Sequence, residues 1–313
     1  MAEATTSQDG CKLDWTPTAA LEAGQVIQIS DGRAGYAVDA IPAGELGAVQ
    51  VEGVVSITKA TSMVVLKGSR MYWDHSANAA HLLQRNDRDF YVGQAIEDAA
   101  AADTTVKLAL NVMAPYTIAI GDGFAAVKVL TNGNKTEIIG HREGVTLILD
   151  TTNEAQKMDA LSIRGVAVGT PCIVEALICV NTNADASAGD LNIGLANATH
   201  ASDADSITES LFVHIDGGSV NINIESDDGT TEVAATDSTV DFTAGTPFLA
   251  QFDLRDDEDI QVYIDGVNVL PSSVFKLNAA TGPLKLLAHF EKSADDSPGN
   301  VTVMTLGLRS FEE

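Results

Sequence analysis

Residues 211–225 read Leu-Phe-Val-His-Ile-Asp-Gly-Gly-Ser-Val-Asn-Ile-Asn-Ile-Glu. Leu211, Val213 and Ile215 recur with a period of two, the spacing of a strand with one face buried. Asp216-Gly217-Gly218-Ser219 supplies a turn, and Val220, Ile222 and Ile224 resume the alternation. The stretch 211–224 is therefore predicted to be a β-hairpin. The same logic extends outward. Ile260, Val262 and Ile264 lead into Asp265-Gly266, a pair suited to the positive φ of a tight hairpin, and Val267 and Val269 follow. Val106, Leu108, Leu110 and Val112 alternate with Lys107, Ala109 and Asn111, and Val301 to Leu308 forms the last strand. Helical signals are confined to Ala77–Gln84 and Ile96–Ala102; each has the length of a short helix, though a loop suits the second equally well. No repeat of 20–50 residues is present. The expected fold class is all-β.

The charge limits the partners. Among 313 residues, 44 acids face 18 bases, a net charge of −26. A nucleic-acid groove or an anionic membrane needs a positive surface, so neither is expected as a partner. Residues 1–150 hold 18 acids and 11 bases, whereas residues 151–313 hold 26 acids and 7 bases. The C-terminal part therefore suits a solvated, self-repelling exterior. Cys11, Cys172 and Cys179 make no disulfide framework, because Cys172 and Cys179 sit seven apart in one predicted strand and point to opposite faces. No secretory signal is visible in MAEATTSQDG, and no run approaches the ~20 apolar residues of a membrane span. Synthesis in the cytosol is the corresponding expectation.

Pro115 interrupts strand pairing, and beyond it the texture changes to longer strands and Asp/Asn/Gly/Thr loops. We therefore expect an N-terminal arm over 1–15, a small β domain over 16–112 and an acidic sandwich-sized domain over 113–313. Leu13 and Trp15 are the expected apolar anchors of the arm, which would order on a partner or a neighbouring protomer.

Catalytic signatures are scarce. The chain has no GxSxG, HExxH, P-loop or GxGxxG motif. Its six histidines show no pair at metal-ligand spacing, and His214 and His289, within predicted strands, read as satisfied or surface groups rather than as ligands. Glu225, Asp227, Asp228 and Glu232 cluster around Gly229, but a retaining glycosidase needs two inward carboxyls ~5 Å apart across a sugar. A solvated hairpin loop explains the cluster more simply. Asp256, Asp257 and Asp259 offer hard oxygens to calcium without EF-hand spacing, and Asn181, Asn183, Asp185 and Asp190 form a similar weak loop. No other cofactor is expected. Residues 113–313 contain no tryptophan, which lowers the expectation of a sugar-stacking cleft. Tyr72 and Trp73 suit packing in the core or between subunits.

One ordered set of segments carries a resemblance. It comprises Ala23–Ile27, Gly35–Val38, Ile41–Gly47, Val51–Val54, Thr58–Ala60, Gly68–Asp74, Val92–Ala95, Asp103–Val106 and Leu108–Asn111. Together these resemble the small phage capsid decoration, or cement, proteins over about residues 14–112. The resemblance implies a β-barrel-like domain on the outer surface of an icosahedral phage head. It would bind between major capsid protein subunits, often as a homotrimer, with no catalytic residues to transfer. Leu13, Trp15, Tyr72 and Trp73 are then the candidate capsid contacts. The C-terminal part more loosely resembles laminin-G/concanavalin-like jelly-roll sandwiches, through Gly144–Asp150, Glu175–Ile178 and Val262–Val267. The function expected is a structural, non-enzymatic virion protein that stabilises the head. A glycan- or host-surface-binding module on the sandwich is the alternative.

Overall fold

The computed structural model describes residues 11–121, 126–131, 136–185, 189–201 and 203–311. The chain divides into two compact units, Met1–Pro115 and Tyr116–Glu313.

The described residues of the first unit form nine strands: β1 (Lys12–Trp15), β2 (Val26–Gln28), β3 (Ala34–Ala37), β4 (Gly47–Gln50), β5 (Val54–Thr58), β6 (Arg70–Asp74), β7 (Ala79–His81), β8 (Phe90–Ala95) and β9 (Thr105–Leu110). They form a four-stranded sheet, β1-β4-β3-β2, and a five-stranded sheet, β5-β9-β8-β6-β7. Asn111 ties the two together: its side-chain amide donates to Ala34 and Val51 carbonyls, and its oxygen accepts from the Ala34 N–H. Its φ of 59° is a conformation that Asn tolerates better than most residues.

Two expectations change here. Residues 1–10 of the proposed arm lie outside the described residues, but Lys12–Trp15 is not an arm. It pairs antiparallel with β4, and Leu13 and Trp15 pack against Leu21, Ile41 and Val49 of their own domain, because their alternating apolar side chains match the interior face. The segment Ala77–Gln84 is not a helix either, since β7 occupies its centre, and Ile96–Ala102 is turns with a bridge from Val65 to Ala99. Among the described residues the only helical element is a single 3₁₀ turn, Ala204–Ser206.

His81 in β7 is buried, and its Nδ1 accepts a hydrogen bond from the Leu83 N–H. Burial, with Arg85 nearby, lowers its pKa to about 4. The unfolded chain therefore binds this proton first as pH falls. The neutral ring contributes fully above the unfolded value near 6.5, and its contribution disappears as pH falls through about 4. From this shift, the loss at His81 is expected to reach about 3 kcal/mol. Comparing denaturant unfolding of the wild type and His81→Asn from pH 7 to 4 isolates this site from the carboxylates. Parallel pH profiles would refute it.

The second unit contains β10 (Ile118–Ala119), β11 (Ala126–Thr131), β12 (Glu137–Gly140), β13 (Val145–Leu149), β14 (Glu154–Val166), β15 (Cys172–Thr182), β16 (Asp190–Ala196), β17 (Glu209–Asp216), β18 (Asn221–Asp228), β19 (Glu232–Asp241), β20 (Phe248–Asp253), β21 (Gln261–Ile264), β22 (Val267–Val269), β23 (Leu284–Asp295) and β24 (Gly299–Ser310). One sheet runs β12-β13-β24-β15-β20-β21-β22, with β10 also on β24; the other runs β11-β14-β23-β16-β17-β18-β19. Their inward residues, among them Val174, Ile178, Ile193, Val213, Ile224, Phe252, Phe290 and Val303, form one continuous core. This is the sandwich expected from alternation. The hairpin 211–224 forms as β17 and β18, although Val220 is exposed and falls in the turn. Asp265 and Gly266 adopt φ of 51° and 79° between β21 and β22, the left-handed pair a two-residue hairpin requires. Cys172 belongs to the core, whereas Cys179 points to the other face and bonds Asn181. At Gly307 an added Cβ would lie 2.4 Å from the Tyr116 ring, so glycine lets that ring lie flat on β24.

Candidate functional site

Strand alternation turns a second set of side chains to the outer face of the seven-stranded sheet. Cross-strand register places Asp159 opposite His289, His289 opposite Asn192, Asn192 opposite His214, and His214 opposite Asn223. The neighbouring row holds Lys157, Glu291, Asp190 and Asp216. This polar belt runs across five strands and is largely buried. Ala204 and Ile207 pack over the same face on Leu161, Phe212 and Leu287, and Lys157 donates to the His200 carbonyl.

The geometry centres on Asp190. His214 Nδ1 lies 3.2 Å from Asp205, 3.3 Å from Glu225 and 3.6 Å from Asp190, and its Nε2 lies 3.1 Å from Asp216. His289 Nδ1 lies 2.8 Å from Asp159, while its Nε2 faces Glu291 at 3.5 Å. Asn192 donates to both Asp205 and Glu225. Burial pushes the Asp190 carboxyl up to about 8; Asp205 and Glu225 add to the rise, and the two imidazoles oppose it. Burial alone would depress His214, but Asp205, Glu225 and Asp190 override it and raise its pKa to about 12. His289 rises to about 9 for the same reason, through Asp159 and Glu291. Burial also raises Glu225, against the pull of His214. Such an arrangement can hold cations; with its charged groups largely covered, it does not present an open pair of carboxylates to a sugar ring.

Sequence patterns anticipated little of this. Glu225 lies within β18, buried against His214, and is not in a solvated loop; Asp228 is also buried and closes the turn by accepting from Thr230 and Thr231. His214 and His289 are grouped with carboxylates able to hold a metal, Asp190 with Asp205 and His214, and Asp190 with His289 and Glu291. Asp256, Asp257 and Asp259, the residues expected to offer oxygens to calcium, are not among the clusters of three metal-ligating side chains found among the described residues. Asp256 accepts from the Glu258 N–H and Asp259 from the Gln261 side chain, so these two carboxylates serve their own turn.

In the first unit, Trp73 is buried inside the domain, which corrects its assignment as a capsid contact. Its ring lines a groove of about 400 Å³ with Val26, Tyr36, Val54 and Leu110. Tyr72 is half-buried and meets Tyr91 edge-on at 5.6 Å. The large exposed apolar side chains of this unit are instead Leu46, Val54, Ile96, Val112 and Met113.

A compact nine-stranded unit with a pinned pair of sheets and an exposed apolar set now has a counterpart. Residues 7–110 match the phage cement protein family. The resemblance read from residues 14–112 is thereby borne out, and the match falls within the first compact unit. Residues 141–295 match a second family, the SO2946-like C-terminal domain. No curated protein matches the chain. Among solved structures, the Ca2+-bound VIP36 exoplasmic/lumenal domain is similar at 10% identity and TM-score 0.44, covering 64% of this chain and 89% of that one. The Emp47p carbohydrate recognition domain gives 11%, 0.41, 63% and 96%. The polysaccharide lyase family 7 alginate lyase AlgAT5 gives 12%, 0.39, 57% and 83%. No helix of the described residues is long and apolar enough to cross a membrane.

Proposed function

We propose that the protein decorates and stabilises the outer surface of a phage head, binding between major capsid protein subunits as a homotrimer and without catalysis. The observation that carries this reading is the cement-family match to residues 7–110. The charge supports it: the less acidic N-terminal part suits a protein-facing role, and the strongly acidic C-terminal part suits the solvent side. Stabilisation follows from linkage. A trimer that touches several capsid subunits turns weak contacts into intramolecular ones, so their effects accumulate. Leu46 and Val54, both well exposed, replace Trp73 as the apolar contacts.

Co-sedimentation of the purified chain with mature, undecorated heads tests the proposal. Binding is expected to saturate at a fixed ratio to the capsid protein and to weaken at least tenfold in Leu46→Asp/Val54→Asp, about 1.4 kcal/mol. No binding by the wild-type chain would sink it. The alternative is a head-displayed glycan- or host-surface-binding module. It draws support from the exposed carboxylates of Asp205 and Asp216 at the rim of the polar belt. A glycan array, read with full-length protein, separates the two.

A further inference from the structure

The two histidines of the polar belt share one design. His289 gives Nδ1 to the Asp159 carboxylate at 2.8 Å, and its fully covered Nε2 makes no hydrogen bond. His214 gives Nε2 to Asp216 at 3.1 Å, and its buried Nδ1 likewise makes none. One ring nitrogen oriented by a carboxylate, with the other left free, is how proteins prepare imidazole for a metal. Both free nitrogens belong to clusters that include Asp190. Asp190 is itself nine-tenths buried, and neither of its carboxylate oxygens has a hydrogen-bond partner. A buried carboxylate with no donor is strongly disfavoured unless a cation is close by.

The geometry points to a pair of divalent first-row cations held on the outer face of the seven-stranded sheet, with Asp190 as their shared ligand. His214 and Asp205 complete one position, and His289 and Glu291 complete the other.

Three observations favour metal over a pair of imidazolium ions. First, an imidazolium would make a well-formed hydrogen bond from each N–H, whereas these two nitrogens face carboxylate oxygens at 3.2–3.5 Å without hydrogen-bond geometry. Second, the separations of His214 Nδ1 from Asp205 and Asp190, 3.2 and 3.6 Å, match the edges between adjacent ligands about 2.1 Å from one ion. Third, six carboxylates (Asp159, Asp190, Asp205, Asp216, Glu225 and Glu291) face two imidazoles and the Lys157 ammonium, which leaves positive charge in deficit. Imidazole nitrogen mixed with carboxylate oxygen suits zinc or manganese better than calcium, which prefers oxygen alone. The partly exposed Asp205 and Asp216 leave an edge open for entry. The inference does not depend on capsid binding.

The test is zinc titration of the untagged, chelator-treated full chain by calorimetry, with bound metal counted by mass spectrometry. Two equivalents are expected for the wild type, one for His214→Ala and one for His289→Ala, and none for Asp190→Asn. Zinc should raise the wild-type Tm and leave that of Asp190→Asn unchanged. Asp256→Asn should bind as the wild type does, which separates the site from the general acidity of the surface. Circular dichroism of each metal-free variant shows that it is folded; were Asp190→Asn unfolded, the two histidine variants would still decide. No binding by folded wild type, undiminished binding in both histidine variants, or calcium binding as tight as zinc would each overturn the proposal.

Discussion

Glu175→Ala is expected to destabilise the C-terminal unit by about 3–5 kcal/mol, because it strands a buried guanidinium. Glu175 lies in β15 on the face turned away from the sandwich core, and it is almost fully covered. Arg309, equally buried in β24, forms an ion pair with it and stacks over the Tyr116 ring at 4.9 Å. Tyr116 and Gln251 donate to its two oxygens at 2.9 and 2.7 Å. Burial pushes the Glu175 carboxyl up, yet Arg309 and these hydrogen bonds more than offset it and hold its pKa below the ordinary value. The structure thus holds a charged pair that is stable only as a pair. At roughly 2–4 °C per kcal/mol for a unit of this size, Tm should fall by about 10 °C. Replacing both partners with apolar groups, Glu175→Leu with Arg309→Met, should recover most of the loss, since no unpaired charge remains. Thermal unfolding followed by circular dichroism measures both. A single variant that loses less than about 1 kcal/mol, well below the range for a broken buried pair, would show that water reaches the guanidinium.

The contrast between Glu175 and the polar belt explains what could be read from the sequence. A strand reveals itself locally, because residues i and i+2 share a face wherever the strand goes. Leu211, Val213 and Ile215 therefore announced β17, and Ile222 and Ile224 announced β18, without knowledge of any neighbour. Asp265-Gly266 similarly fixed a hairpin through backbone preference alone. The cement-like segments between residues 14 and 112 were legible as an ordered set, and that unit is matched as such.

The metal-like cluster was not legible, because its members are neighbours only through sheet order. β23 inserts between β14 and β16, so Asp159, His289 and Asn192 meet although 130 residues separate the first two. No spacing rule contains that insertion. One piece was within reach: in the hairpin, the residues between the inward apolar positions share the opposite face, which places His214 and Glu225 together. A turn such as 256–259 shows the converse limit. Proximity in sequence suggests a shared ligand set, but Asp256 and Asp259 are each drawn to a donor within their own turn. Trp73 shows the same limit for aromatics. Nothing local tells an inward tryptophan from an interfacial one, and here the packing of β6 turned it inward.

Lys292→Met is expected to lower stability by about 3 kcal/mol, since it removes the ammonium that donates to four carbonyl oxygens. The buried Lys292 ammonium in β23 donates to Asp150 at 2.5 Å, Thr152 at 3.1 Å, Asp295 at 2.8 Å and Ser297 at 3.0 Å. Methionine matches the length and apolar stem of lysine but supplies no N–H, so packing is kept while the carbonyls lose the ammonium; Thr152 still accepts from the Glu154 N–H. The two turns joined by the ammonium are each closed independently. Asp150 accepts from the Thr152 N–H and from Gln156, and Asp295 accepts from the Ser297 N–H. The variant should therefore fold with both turns intact but uncoupled from each other. Because water can reach part of each turn, the expected loss is well below four full desolvation penalties of ~1–3 kcal/mol each. Amide exchange near Thr152 and Ser297 should accelerate more than exchange in the centre of β23, where the ladder to β14 and β16 is untouched. A Tm drop of roughly 6–12 °C follows from the size of the unit. Uniform acceleration along β23 would mean that the lysine supports the strand itself; unchanged stability would mean that water replaces the ammonium without loss.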